Sequence, residues 1–248
     1  FRIDQPDAEL QLTESHTPIT CDPGIDGTIT ASAVGGWLGG DYLYELVGPV
    51  SFAYSTQSYF ENLTAGTYTV NVKDVNGCVD TATVVLKNPD PILVTAHATV
   101  DQLVCNGDTS GEITVDLPTG GQEGNYSYIL NYLSADPVIS TDSQTSPVFS
   151  GLPAGRYSVT VVDGINCVSA PSVAIVINEP SKVEPSLSLA SGVTCKTDAT
   201  LTLSAIGGSG APYEYSLDQS FNTIAGSFTS SVTFAVGLGD HQYFVRDS

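Results

Sequence analysis

One spaced pattern occurs three times in this chain, and it fixes what the chain can fold into. Its first copy is Leu63-x-x-Gly66-x-Tyr68-x-Val70-x-Val72-x-Asp74, and its second is Leu152-x-x-Gly155-x-Tyr157-x-Val159-x-Val161-x-Asp163. A weaker third copy, without gaps, is Val236-x-x-Gly239-x-His241-x-Tyr243-x-Val245-x-Asp247. A fixed internal period is the signature of a repeat architecture. Within each copy the apolar residues fall on every second position, so they share one face of a half-buried strand.

The repeat reaches well beyond that segment. Upstream lie Cys21, Cys105 and Cys195, each followed by an alternating strand: Ile29/Ala31/Ala33, Ile113/Val115/Leu117 and Leu201/Leu203/Ala205. Next come glycine pairs at Gly35-Gly36, Gly120-Gly121 and Gly207-Gly208, then Tyr42/Tyr44, Tyr126/Tyr128 and Tyr213/Tyr215. Thr83–Leu86 with Asn88-Pro89 closes the first copy, and Val173–Ile177 with Glu179-Pro180 closes the second. Turn-forming residues separate the runs, and no helical period is sustained. The expected fold is all-β: tandem immunoglobulin-like or fibronectin-III-like antiparallel β-sandwich repeats in an extended array. The expected boundaries are 1–6 for the tail of a preceding repeat, then 7–89, 90–180 and 181–248, the last truncated at its C-terminus.

A second cysteine, Cys78 or Cys167, sits four residues after the aspartate of each complete copy. Two same-register pairs, Cys21–Cys78 and Cys105–Cys167, are therefore expected as bridges within units, against the alternatives of free thiols or a metal site. Each closed loop would stabilise its unit by about 4 kcal/mol in the chain-entropy model, and would place the chain in an oxidising compartment. Cys195 is expected to pair with a cysteine beyond the fragment. No C-x-x-C pair is present, and no metal and no cofactor are implied.

Acidic residues outnumber basic ones 27 to 7, giving a formal net charge of −20. Nucleic-acid binding needs a basic surface and is excluded on that ground, as is direct docking on anionic lipid. No catalytic residue is identified. His16, His97 and His241 fall at non-equivalent places in the copies, so no general base is shared. Nucleophile-elbow, P-loop and zincin motifs are absent, and the chain is not expected to be an enzyme.

The assembled residues resemble the SprB repeat family. The elements that carry the resemblance are Cys105-Asn-Gly-Asp-Thr-Ser-Gly111-Glu-Ile113-Thr-Val115, Gly120-Gly121, Tyr126-Ser-Tyr128, Gly151 to Asp163, Cys167 and Ile177-Asn-Glu-Pro180. The first copy matches through Asp74-Val-Asn-Gly-Cys78, while the third rests on register. The resemblance implies a stalk segment of a large Bacteroidetes cell-surface adhesin, attached at the outer membrane and exported by type IX secretion, that serves surface attachment and gliding motility. Its implied partners are neighbouring repeats, the secretion and motility machinery, and surface polysaccharide. The competing readings are a carbohydrate-binding module and the accessory tail of a secreted hydrolase.

Three features merit placing in the structure. Trp37, in Gly35-Gly36-Trp37-Leu38-Gly39-Gly40, has no counterpart in the other copies; it either stacks on a sugar ring or packs on its own unit. Asp80-Thr81-Ala82 resembles the short O-glycosylation signal of Bacteroidetes, with Thr81 as acceptor. Asp22, Asp26, Asp74, Asp108 and Asp163 lie near the cysteines, either as calcium ligands or, the preferred reading, as turn-capping groups.

Overall fold

The computed structural model describes residues 4–37, 40–122, 124–134 and 138–247. Residues 1–3 of the expected preceding tail, Leu38 and Gly39 of the tryptophan loop, and Ser248 lie outside them. The first sandwich comprises β1 (Gln11–Thr17), β2 (Gly27–Val34), β3 (Leu43–Val47), β4 (Phe52–Ser55), β5 (Tyr59–Leu63), β6 (Gly66–Lys73) and β7 (Val79–Leu86). The second comprises β8 (Ala96–Val100), β9 (Gly111–Val115), β10 (Ser127–Tyr132), β11 (Ile139–Ser140), β12 (Val148–Leu152), β13 (Gly155–Val162) and β14 (Ile175–Ile177). The third comprises β15 (Ser181–Ser191), β16 (Ala199–Gly208), β17 (Tyr213–Ser216), β18 (Gly226–Phe228), β19 (Ser231–Val236) and β20 (Phe244–Asp247). Among the described residues there is no helix.

One topology is used throughout. The first sandwich packs a three-stranded sheet, β1-β2-β5, on a four-stranded one, β4-β3-β6-β7. The second repeats this as β12-β9-β8 and β11-β10-β13-β14, and the third as β15-β16-β19 and β18-β17-β20. Every ladder between these strands is antiparallel. The fourth strand of each sandwich pairs with the third, not the fifth. This departs from the constant-type immunoglobulin order and is the fibronectin-III-like alternative.

The core follows the sequence period. Tyr68, Val70 and Val72 of β6 are fully buried while Thr69, Asn71 and Lys73 are not. They meet Ile29, Phe60 and Leu63 from the facing sheet. In the second sandwich Tyr157, Val159 and Val161 occupy the same places, opposite Ile113 and Phe149. Two apolar positions depart from the expected pattern. Leu117 and Val173 are strongly exposed, because each lies beyond the end of its ladder. β14 is cut to three residues where β7 has eight. Upstream of β14, the Ser169 and Ser172 hydroxyls accept the N–H groups of Val161 and Val159 that a longer strand would have paired.

Candidate functional site

The repeated polar residues build the two ends of each sandwich. The repeated spacing that ends in aspartate places Asp74 just beyond β6, with its side chain turned inward. Oδ1 accepts the N–H groups of Asn76 (3.0 Å) and Cys78 (2.9 Å), and Oδ2 accepts that of Trp37 (2.8 Å). Asp163 does the same for Ile165, Cys167 and Gln122. Asp247 accepts from Ser209 in the third sandwich. One carboxylate thus ties the turn after the sixth strand to the turn after the second. Donation by Trp37, followed by that of Cys78 and Asn76, outweighs desolvation and holds the Asp74 carboxyl below its usual range.

The glycine pairs are needed at this end. Gly35, Gly120 and Gly207 have φ of 79°, 84° and 87°, and a Cβ on any of them would run into a carbonyl oxygen of the incoming chain. A Cβ on Gly36, Gly121 or Gly208 would press on the aspartate. Gly36 N–H instead bonds Ala8 O (2.9 Å), and Gly121 N–H bonds Asp90 O (2.8 Å). The entering strand is thereby fastened to the turn. Tyr42, Tyr126 and Tyr213 hydroxyls donate to the first glycine of each pair.

At the other end, Tyr68 donates to Thr64 O (2.9 Å) and Tyr157 to Pro153 O (2.8 Å), the tyrosine corner of immunoglobulin-like sandwiches. His241 keeps this contact through Nε2 to Gly237 O (2.8 Å). Burial, with the neighbouring Tyr132 second, pushes the Tyr157 phenol up to about 12.

The cysteines correct the expected pairing. The bond formed is Cys21–Cys167, 146 residues apart in sequence and joining the first sandwich to the second; Cys78, Cys105 and Cys195 are free and exposed. The reason is one of parity. With strands alternating in direction, and counted from the first strand of each sandwich, connections after odd-numbered strands lie at one end and those after even-numbered strands at the other. Cys21 follows β1 and Cys78 follows β6, so the eight-residue β6, roughly 26 Å long, separates the ends that carry them. A disulfide needs Cα atoms within about 7 Å. Because the chain leaves a sandwich at its odd end and enters the next at its even end, Cys21 meets Cys167 instead, with Cα atoms 5.4 Å apart.

Further contacts span both junctions. Gln122, next to the glycine pair of the second sandwich, donates through Nε2 to Ile19 O (3.4 Å) of the first. Ser209, at the equivalent place in the third, donates through Oγ to Val104 O (2.5 Å) of the second. The connecting segments are also pinned. Asn88 Nδ2 donates to Asp22 Oδ1 (2.6 Å), and Gly107 N–H donates to Glu179 Oε2 (2.6 Å).

The other candidates sit as follows. Trp37 is half-buried, with its backbone on Asp74. Thr81 is exposed on β7, its N–H on Asp80 Oδ1. Asp26 caps Thr20, and Asp108 caps Thr109 and Ser110. These bonds lower both carboxyls. Among the described residues no group of three or more His, Cys, Asp or Glu is placed to hold a metal ion, and no helix is long and apolar enough to cross a membrane. Sequence reasoning missed the inter-sandwich contacts of Gln122 and Ser209. Their position directly after each glycine pair was the available signal.

This geometry defines a tandem antiparallel β-sandwich protein whose repeated polar residues serve turns and junctions. Residues 97–133, from β8 through β10 of the second sandwich, match the family model of the SprB repeat. No curated protein matches the chain. Among solved structures, the three N-terminal domains of the bacteriophage RB49 highly immunogenic outer capsid protein are similar at 13% identity. That match covers 93% of this chain and 87% of that one, with a TM-score of 0.39. A marsupial T cell receptor is similar at 11% identity over 97% of this chain and 100% of that one, with a TM-score of 0.37.

Proposed function

We propose that the chain is a non-catalytic stalk segment of a large bacterial cell-surface adhesin, with units over 7–89, 90–180 and 181–248. The observation that carries this reading is the repeated junction: equivalent residues bond the odd end of one sandwich to the even end of the next at both places, and one of the two is also covalent. Such joints suit a chain that holds a reach. Outer-membrane attachment, type IX export, a role in gliding and a Bacteroidetes source follow from the SprB resemblance. The disulfide fits an extracellular setting. Thr81, exposed on an outer strand, is accessible to a glycosylating enzyme.

An antibody raised against the chain should label unpermeabilised cells that make it and slow their attachment to a surface. Labelling only after permeabilisation would overturn the reading. Small-angle scattering tests the array separately. A maximum dimension of about 100 Å or more is expected from three sandwiches end to end, against roughly 50–60 Å for a compact chain of this size.

A further inference from the structure

We propose that Cys78, Cys105 and Cys195 are half-cystines of one head-to-tail staple, in which the cysteine after the first strand of a unit bonds the cysteine after the sixth strand of the unit that follows it. The partner each would take is another unit of this same kind. At the first junction the staple is formed between Cys21 and Cys167.

Three observations extend it to the free cysteines. First, Cys78 matches Cys167 in placement: each is four residues after the aspartate whose Oδ1 holds its N–H, at 2.9 and 2.8 Å. Second, Cys105 and Cys195 occupy the register of Cys21, in the β8–β9 and β15–β16 connections. Third, the second junction is assembled like the first. Ser209 reaches Val104 O next to Cys105, as Gln122 reaches Ile19 O near Cys21. A cleft of about 300 Å³ there is lined by Cys105 and Asn106 on one side and by Val245, Arg246 and Asp247 on the other. In the first junction the residues after Asp163 bring Cys167 to this place.

The chemistry is thiol–disulfide exchange with a small disulfide such as oxidised glutathione. One cysteine thiolate attacks a glutathione sulfur and expels a glutathione thiolate. The second cysteine thiolate then attacks the protein sulfur of the mixed disulfide and expels the other glutathione. Two protein thiols are oxidised and one glutathione disulfide is reduced to two thiols. Docking holds the two cysteines together, so the second step outcompetes return to the free thiol.

The test places a copy of the cysteine-bearing turn of the second sandwich after the third. A copy of residues 164–180 placed directly after Asp247 puts a cysteine four residues beyond that aspartate. In a glutathione redox buffer, Cys105 and the grafted cysteine should lose their reactivity to iodoacetamide, and peptide mapping should find them bonded to each other. Cys78 and Cys195 should stay reactive, with Cys21–Cys167 as the internal control. A Cys105 that stays reactive, or that bonds Cys78 or Cys195, overturns the proposal. Should the graft leave the third sandwich unfolded, the unaltered chain at high concentration decides. Cys78–Cys195 links between copies support the staple; Cys78–Cys78 or Cys78–Cys105 links at parity with them, or no links, overturn it.

Discussion

The first and second sandwiches are filled mainly by branched aliphatic side chains around a few rings, whereas the third is filled largely by rings. Tyr243 stands where Val70 and Val159 stand in the other two. It packs edge-on to Tyr215 and at a tilt to Phe234, with centroids 6.3 and 4.9 Å away, while Tyr215 stacks on Phe234 at 5.5 Å. None of these three rings is fully buried, and only their neighbours Tyr213 and Phe228 are buried rings of this core, since β20 is an outer strand where β6 and β13 are flanked by β7 and β14. The contrast shows that the repeat's polar bonds and its packing are separable. His241 and Asp247 keep the corner and turn contacts of the motif over a much thinner core.

The sharpest way to break this contrast is to empty each core. Phe60→Ala should destabilise the first sandwich by about 3–5 kcal/mol, as for a fully buried ring. Phe234→Ala should cost the third only about 1–2 kcal/mol, because its ring is half exposed and its gain lies mainly in ring–ring contacts. Denaturant-dependent hydrogen exchange, read separately for each sandwich, would measure both; equal losses would mean that the third core is as well packed as the first.

Next in size are the turn carboxylates. Asp163→Ala leaves the N–H groups of Gln122, Ile165 and Cys167 without their acceptor, for a loss of about 1–3 kcal/mol. Asp247→Ala, which frees Ser209 N–H, should cost less. Exchange of the Cys167 and Gln122 amides reports the first directly, and unchanged protection would contradict the tie between the two turns.

Protonation should do less than deletion, because it leaves the shape in place. The Asp74 carboxyl is lowered in the folded state, so its contribution is complete above the unfolded value of about 3.9 and is lost as pH falls through the folded value. Exchange at Trp37 and Cys78 should therefore accelerate only in acid below the ordinary aspartate range. Onset near neutral pH would contradict the assignment.

The smallest effect is expected at the corner. Tyr157→Phe should cost about 0.5–1.5 kcal/mol, one net hydrogen bond, and His241→Phe no more than that. The Tyr157 phenol is raised, so its contribution holds below the unfolded tyrosine value of about 10 and fades as pH climbs toward about 12. Ultraviolet titration should find this tyrosine among the last to ionise.

Much of the plan was readable from residue spacing. The strand faces follow from alternation, since Tyr68, Val70 and Val72 are buried as that period demands. The bonding of Asp74 and Asp163 to their own turns follows from the short reach of an aspartate two to four residues upstream of the amides it caps. The second attachment of each carboxylate, to the glycine-pair turn, was not legible, because it depends on which loops share an end. The cysteine pairing failed for the same reason. Equal register suggested partners within a unit, but counting strands from Cys21 to Cys78 gives an odd number of crossings and so opposite ends. The three-plus-four split of strands was beyond reach, since the choice of β4 between β3 and β5 is made by tertiary packing.

The Cys21–Cys167 bond also decides which parts of the chain carry load. A pull on the two termini runs along the backbone to Cys21, crosses the sulfur bridge and leaves from Cys167, so everything enclosed between them is shielded from tension. The two cysteines are 146 residues apart, about 500 Å of contour length if drawn out straight, and that length is released only when the bridge is reduced. Even if the enclosed sandwich cores rupture, the tether cannot lengthen by that amount. A filament made this way would resist shear as a strap of fixed length, with redox state setting how far it yields.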